Sequence, residues 1–467
     1  MTVPPRLEPL LRIDAPPVEL ARRFAAAGHH LYLVGGSVRD ALLDRAGEDL
    51  DFTTEARPDV IKRLVAPWAD DLYLAGEVFG TVGAIKRGRV YEITTFRSEL
   101  YRDESRKPEV TFSDSITEDL SRRDFTVNAM AMQLPGEPGE APVMIDPHHG
   151  LEDLAGRLLR TPLDPAIAFG DDPLRMLRLF RFVATLGFAS DVAAVEAVRS
   201  MHGRLEIVSA ERIRDELDKL MLGHEVGAGL WGVVDTGLAD EFIPEVSALA
   251  LEQDPYHRHK DVLAHTIAVV EKTSRDLVLR LAALFHDIGK PATRQFGPGG
   301  VSFHHHEVVG ARMTRDRMRA LRYSKRMVRD VSQLVFLHMR AHTFKMGWTD
   351  SAVRRYVRDA GPLLPVLNEL VRCDVTTRNQ KRARSIQRRI DELEVRIEEL
   401  REQEELDALR PPIDGNDVMT YLGLAPGPVV GEIMRDLLER RIEDGPYSVE
   451  EAHAMLDAWQ EAHQQDA

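Results

Sequence analysis

Cysteine is almost missing from this chain. Cys373 stands alone among 467 residues, which excludes an internal disulfide and fits a reducing compartment. Long apolar runs are missing as well. No stretch reaches the ~18 apolar residues of a membrane span, and the opening MTVPPRLEPLLRIDAPPVEL holds no apolar core of signal length. These absences lead us to expect a cytoplasmic protein. Aromatic residues make up only 6%, and 61 Lys and Arg face 76 Asp and Glu, a formal charge of −15. That balance argues mildly against a nucleic acid partner, because phosphates are bound by Lys and Arg. Basic residues are clustered all the same: RNQKRARSIQRR (378–389) carries six and no acid, and Arg175, Arg178 and Arg181 recur at helical spacing. A solvated helix face is an equal reading of the 378–389 segment.

What is present is a globular composition, 43% hydrophobic and 29% charged, in a chain long enough for about three or four structural units. The first ~155 residues mix strand and helix. LYLV reads as a strand, SVRDALLD as a helix, DLDFTT as a strand, and TVGAIKRGRVYEITTFR as a hairpin turning at Arg87 and Gly88. After about residue 160, apolar residues recur at helical spacing, as in PLRMLRLFRFVATLGF and SAERIRDELDKLML, and helix is expected throughout. The polar LEQDPYHRHK (251–260) ends this part. A His-rich helical region runs to about 376, then Ile386, Ile390, Leu393, Ile397 and Leu400 repeat with 4, 3, 4, 3 spacing, a coiled-coil-like seam. We therefore expect four segments, 1–160, 161–250, 251–376 and 377–467.

Within LYLVGGSVRDALLDRAGEDLDF (31–52), Asp49 and Asp51 sit two apart on a predicted strand, so both carboxylates leave the same face. Such a pair can hold Mg²⁺ ions that activate an attacking hydroxyl and steady a leaving phosphate. Gly35 and Gly36 allow close backbone approach, and the amides of the helix start can take phosphates. The plainer readings are a solvated strand end for the aspartates and a capping box, Ser37 with Asp40, for the helix start.

GGSVRDALL and DLDF are followed in order by TTFR (94–97), RRDFTVNAMA (122–131), DPHHGLEDL (146–154), DDPLRMLRLFRF (171–182) and ERIRDEL (211–217). This series resembles the motifs of class II tRNA nucleotidyltransferases, the family of CCA-adding enzymes and bacterial poly(A) polymerases, strongly over residues ~30 to 250. The resemblance implies an α+β fold, a polymerase-β-like head with a mixed sheet, then all-α neck, HD and tail regions. It implies that Asp49 and Asp51 bind Mg²⁺, with Glu92 a candidate third catalytic carboxylate, though a solvated strand residue reads equally well. Gly35, Gly36, Ser37, Arg39, Arg122, Asp124 and Asn128 would face the nucleotide triphosphate. Asp172 and Arg175, with Arg178 nearby, would read the base edge in place of a template. An i, i+3 pair on one helix face suits that task, and equally suits an ordinary salt bridge. Asp171 stands where the motif commonly has Glu, which puts the role of that carboxylate in doubt.

His265, His286, Asp287, His306, His338 and Asp374 follow the order H, HD, D of the HD phosphohydrolase superfamily, with the two further histidines of two-metal members. His and Asp on converging helices can hold divalent Mn, Ni, Fe or Zn, with His304, His305 and His342 as alternative ligands by proximity. The expected activity is template-independent addition of C, C and A to the tRNA 3′ end from CTP and ATP; the HD region is read either as a further phosphohydrolase or as a domain that binds metal and only supports folding or tRNA docking. A-only addition, poly(A) synthesis, an HD phosphohydrolase with an inert head, and a non-catalytic RNA-binding protein are the alternatives.

Overall fold

Alternation of apolar and polar residues builds the first sheet. The computed structural model describes residues 7–12, 14–45, 49–74, 76–77, 80–100, 109–251, 261–297, 300–341, 348–375, 380–404 and 410–464. The chain divides into two compact units, Met1–Ser247 and Ala248–Ala467. In the first, β1 (Tyr32–Val34), β2 (Asp49–Thr54), β3 (Asp71–Tyr73), β4 (Thr81–Lys86), β5 (Arg89–Thr95), β6 (Ala131–Gln133) and β7 (Val143–Ile145) form one sheet in the order β3-β4-β5-β2-β1-β6-β7. Only β2 and β5 pair in parallel, so the sheet is mixed as expected. The β4–β5 hairpin turns at Arg87 and Gly88, both at positive φ (52° and 75°), the backbone of a two-residue type I′ turn. Leu50 and Phe52 point from β2 into the core, where Phe52 stacks on Tyr91 and Tyr91 meets the edge of the buried Trp68. That leaves Asp49 and Asp51 on the other face.

The same unit continues into helices. Helix α1 (Gly36–Leu42) follows β1 directly, and further along α2 (Leu174–Leu186) packs against α3 (Ala210–Met221) and α4 (Val226–Asp235). Ser209 caps α3 with its hydroxyl, accepting from the Arg212 amide, a start that the sequence marks.

The second unit is mainly helical. Helices α5 (Val262–Lys272), α6 (Leu277–Phe285), α7 (His306–Ala320), α8 (Lys325–Leu337) and α9 (Leu364–Cys373) make the His-rich region. Asp261, Asp276 and Ser324 cap α5, α6 and α8. Helix α10 (Gln380–Glu404) contains the 4, 3, 4, 3 seam, and Ile390, Leu393, Ile397 and Leu400 are all buried within this chain. Helices α11 (Gly415–Leu422), α12 (Pro428–Asp444) and α13 (Val449–Gln464) share a small core around Val418, Ile433 and Leu456.

Unbroken helix after residue 160 is not what forms. A short parallel bridge joins Leu158–Leu159 to Ala189–Ser190, and an antiparallel hairpin, β8 (Arg294–Gly297) with β9 (Gly300–Phe303), interrupts the His-rich helices. Its four-residue strands and glycines are too short a pattern to stand out beside strong helical periodicity. No described helix is long and apolar enough to cross a membrane.

Candidate active site

Two clusters of the predicted residues form, one in each unit. In the first unit Gly35 turns the chain at φ 64°, ψ −130°, a backbone that disfavours any side chain. A Cβ on Gly35 would lie 2.7 Å from the guanidinium of Arg123, so the glycine makes room for that arginine. Ser37 does not cap its helix. Its hydroxyl accepts the backbone N–H of Asp51 at 2.9 Å, tying the helix start to the aspartate strand, while Asp40 pairs with Arg39 at 2.8 Å. The capping box is therefore absent.

Asp51 is directly in register with Glu92 on the neighbouring parallel strand. Burial, then the charges of Glu92 and Asp49, push the Asp51 carboxyl above its usual range, partly offset by Arg123. Tyr73 donates to Glu92 at 2.8 Å, lying across Gly83, where a Cβ would collide with its ring at 2.1 Å. Like charges gathered at one sheet face form a place that a cation relieves, and this fits Mg²⁺ held by Asp49 and Asp51. Asp49, Asp51 and Glu92 do not, however, close to the 4.8 Å mutual ligand spacing that other groups reach among the described residues.

A chain of charged groups leads away from this face. Arg39 donates to Asn128 Oδ1 at 2.5 Å, Asn128 donates to Asp124 Oδ1 at 2.8 Å, and Asp124 Oδ2 accepts two bonds from Arg178 at 2.9 and 2.6 Å. Arg178 also reaches Glu216 at 3.1 Å, and Arg181 lies 2.9 Å from the same carboxylate. Burial opposes the Asp124 charge, yet Arg178 and Asn128 outweigh it and hold the carboxyl far below its ordinary value. Burial and the neighbouring Arg178 bring Arg181 down to about 10. The ring of Phe182 lies among three guanidinium groups, Arg181 at 3.5 Å, Arg39 at 5.1 Å and Arg178 at 5.5 Å, where its π face offsets some of their repulsion.

Asp172 and Arg175 are near each other in sequence but do not share a helix face. Asp172 precedes α2 in extended backbone, and its side chain accepts the Leu174 amide and pairs with Arg212 at 3.1 Å. Arg175 is buried and donates to the carbonyls of Ala168, at 3.1 Å, and Arg122. Pro173 explains the difference, since the residue before a proline is driven out of helical geometry. Arg122 donates to the fully buried Asp119 at 2.9 Å, and Arg123 joins it at 3.1 Å. The motifs single out neither Asp119 nor Arg123. Their i, i+3 and i, i+4 spacing is a readable signal, whereas nothing in the short DLY strand points to Tyr73.

In the second unit all six predicted residues converge. Two groups, His265 with His286 and Asp374, and Asp287 with His306 and His338, each place their ligand atoms within 4.8 Å of one another. Asp287 joins them: Oδ2 lies 3.2 Å from His286 and 3.5 Å from His265, while Oδ1 lies 3.5 Å from His306 and 4.0 Å from His338. His265 meets Asp374 at 2.9 Å. Three rings are fixed by donation from Nδ1 to a carbonyl three residues back: His286 to Ala283 at 2.7 Å, His306 to Phe303 at 2.8 Å and His338 to Val335 at 2.6 Å. A carbonyl can only accept, so Nδ1 carries a proton in each ring, and Nε2 faces inward as the atom that would bind a metal once the ring is neutral.

Burial opposes charge on His286, but Asp287 and Asp374 outweigh it and raise the imidazole to about 10. His338, buried and repelled by His286, falls to about 3. A bound cation would override both shifts and hold the imidazoles neutral. The donor set fits one or two divalent transition ions. His304 and His305 are exposed, and His342 lies outside the described residues. The 378–389 segment is described only from Gln380, as the start of α10.

Residues 31–160 match the poly A polymerase head domain, 187–249 the "probable RNA and SrmB- binding site of polymerase A", and 262–379 the HD domain. An A-adding tRNA nucleotidyltransferase of Deinococcus radiodurans is 34% identical over 92% of this chain and 95% of its own. A CCA-adding enzyme of Anoxybacillus flavithermus is 31% identical over 89% and 91%. The crystal structure of the Bacillus stearothermophilus CCA-adding enzyme in complex with CTP is similar in fold, with a TM-score of 0.65 at 23% identity and full coverage of both chains. The likeness extends over nearly the whole sequence and not only its motifs: the chain belongs to the tRNA nucleotidyltransferase family.

Proposed function

We propose that this protein adds C, C and A to the 3′ end of tRNA, using CTP and ATP without a nucleic acid template. The observation that carries the reading is the bond from the Asp51 amide to Ser37, which makes one site of the glycine turn and the paired carboxylates. Asp49 and Asp51 would hold Mg²⁺, which would supply charge for activating the 3′-hydroxyl and for steadying the departing pyrophosphate. The hydroxyl oxygen bonds to the α-phosphorus as the bond to the β-phosphate oxygen breaks. Gly35, Gly36 and Ser37 leave the backbone open to phosphates, with Arg39, Arg122, Asp124 and Asn128 around them. Arg123, held by Asp119, adds a cation.

Asp172 and Arg175 are the base readers in this proposal, with Arg178 holding Asp124 and Glu216 behind them. Reading requires Arg175 to exchange the carbonyls of Ala168 and Arg122 for a base edge, and Asp172 to exchange Arg212. We place head, neck, HD and tail functions in 1–160, 161–250, 251–376 and 377–467, the protein itself in the cytoplasm, and tRNA contacts along the neck and the 378–389 segment.

Labelled CTP and ATP, given separately and together to a tRNA lacking its last three nucleotides, test the reading. Two C residues followed by one A support it. No C incorporation, with A added to tRNA ending in CC, replaces it by A addition, as named for the Deinococcus relative; an unlimited run of A replaces it by poly(A) synthesis.

A second activity is favoured by the bridging position of Asp287: metal-dependent hydrolysis of phosphoesters at the HD cluster, with Mn, Ni, Fe or Zn bound there. Comparing Asp49→Ala/Asp51→Ala with His286→Ala/Asp287→Ala separates the two. Loss of all activity in the second pair alone would overturn nucleotide addition in favour of a phosphohydrolase with an inert head.

A further inference from the structure

The β8–β9 hairpin belongs to neither predicted site, yet it is joined to the HD cluster at its foot. Phe303, the last residue of β9, gives its carbonyl to His306, and its ring lies 5.7 Å from the ammonium of Lys290. Lys290 in turn donates to Asp287 at 2.6 Å. Strand register decides which side chains share a face. Arg294 pairs with Phe303 and Phe296 with Val301, so these four side chains leave one face of the hairpin, while Gln295 and Ser302 leave the other.

That face is a row of alternating cations and rings. Lys290 stands over Phe303, and Arg294 stands over Phe296 at 4.5 Å. Among the described residues, Phe296, 64% exposed, is the most open aromatic ring of the exposed large hydrophobics, and Arg294 Nε is buried without a hydrogen-bond partner. Two residues along a strand span about 7 Å, close to the step between neighbouring nucleotides. A lone exposed phenylalanine needs no explanation; one that ends a cationic row starting at a metal-ligand set does.

We propose that this hairpin is the arm by which the HD cluster holds a single-stranded RNA end, with a base stacked on Phe296 and backbone or terminal phosphates beside Arg294 and Lys290. The inference rests on the phosphohydrolase reading of the HD cluster, since it names that site's substrate class. RNA is favoured over a protein segment because the row combines positive charge with a stacking surface.

The test uses the full-length protein and a short RNA ending in 2-aminopurine with a 3′-phosphate, which blocks its use as a nucleotide acceptor. Fluorescence quenching reports stacking in EDTA, and hydrolysis with Mn²⁺ is followed for the same RNA and for bis(p-nitrophenyl) phosphate, which is too small to reach the arm. Phe296→Ala is expected to weaken RNA binding roughly 5- to 150-fold, the contribution of one stacked base, and to raise KM for RNA while kcat, the small ester and CTP incorporation stay unchanged. Phe296→Trp restores binding and quenching. Unchanged RNA affinity in Phe296→Ala overturns the proposal, as does an equal loss on the small ester, which would make the effect structural. If the wild type hydrolyses neither substrate with Mn²⁺, Ni²⁺, Fe²⁺ or Zn²⁺ in turn, the HD reading fails, and the quenching measurement still decides whether the arm binds RNA.

Discussion

Replacing Gly35 by alanine tests the geometry of the proposed nucleotide site most directly. Gly35 holds φ 64°, ψ −130°, a region costing a residue with a Cβ roughly 1–3 kcal/mol. The new Cβ would lie 2.7 Å from Arg123, whose flexible end must move and weaken its 3.1 Å pair with buried Asp119. A hydrogen bond to a charged group contributes roughly 1.5–3 kcal/mol. Arg123 keeps some solvent contact and its flexible end can shift, and Asp119 retains Arg122, so the low end of both ranges applies, for a total of about 3 kcal/mol. A unit of this size loses about 2–4 °C of Tm per kcal/mol, which predicts a fall of about 6–12 °C in calorimetry. CTP affinity, measured by equilibrium binding, should fall roughly tenfold as Arg123 leaves its place. For the stability change Gly36→Ala is the control, since a Cβ there meets only Arg39 at 3.5 Å and less than about 1 kcal/mol should be lost. Wild-type Tm and CTP affinity in Gly35→Ala would refute the reasoning.

The other predictions rest on charge. Asp51→Asn removes a carboxylate that burial, Glu92 and Asp49 already disfavour, so its Tm should equal or exceed the wild type while CTP incorporation falls at least roughly 100-fold; a parallel loss of Tm would contradict this. Asp119 and Asp124 have depressed carboxyl values in the folded state, so their stabilisation is present above the unfolded value near 3.8 and is lost as pH falls below it. Asp119→Asn should therefore cost about 3–5 kcal/mol at pH 7, and the gap to wild type in denaturant titrations should narrow below about pH 3. Adding Mn²⁺ at 100 times its Kd should stabilise the HD region by about 2.7 kcal/mol over the EDTA-treated protein. Asp287→Asn, which loses the shared carboxylate charge, should show little of that shift in calorimetry.

The two sites are legible in the sequence to different degrees, and the differences are physical. Strand spacing alone puts Asp49 and Asp51 on one face, because side chains alternate along a strand whatever surrounds it. The positive φ at Arg87 and Gly88 and the helix caps at Ser209, Asp261 and Ser324 come from local chemistry of the same kind. The resemblance names the His and Asp positions of the HD cluster in order, and every one arrives at the cluster. Counting residues places Asp172 and Arg175 on one helix face. Pro173 breaks that count, and each side chain takes a partner far from it in sequence, Arg122 for Arg175 and Arg212 for Asp172.

Sequence by itself pointed to most of the residues proposed to carry chemistry in this protein, and determined much of the local backbone that presents them. Tertiary structure alone decided their partners. Ser37 binds Asp51 rather than capping its helix because β2 runs beside the start of α1. Asp287 faces both halves of the HD cluster because separate helices bring rings to it from positions up to 51 residues away (287 to 338). Phe296 stands in line with Lys290 only through the hairpin register. Contacts of this kind depend on how separate elements pack, which no local spacing encodes.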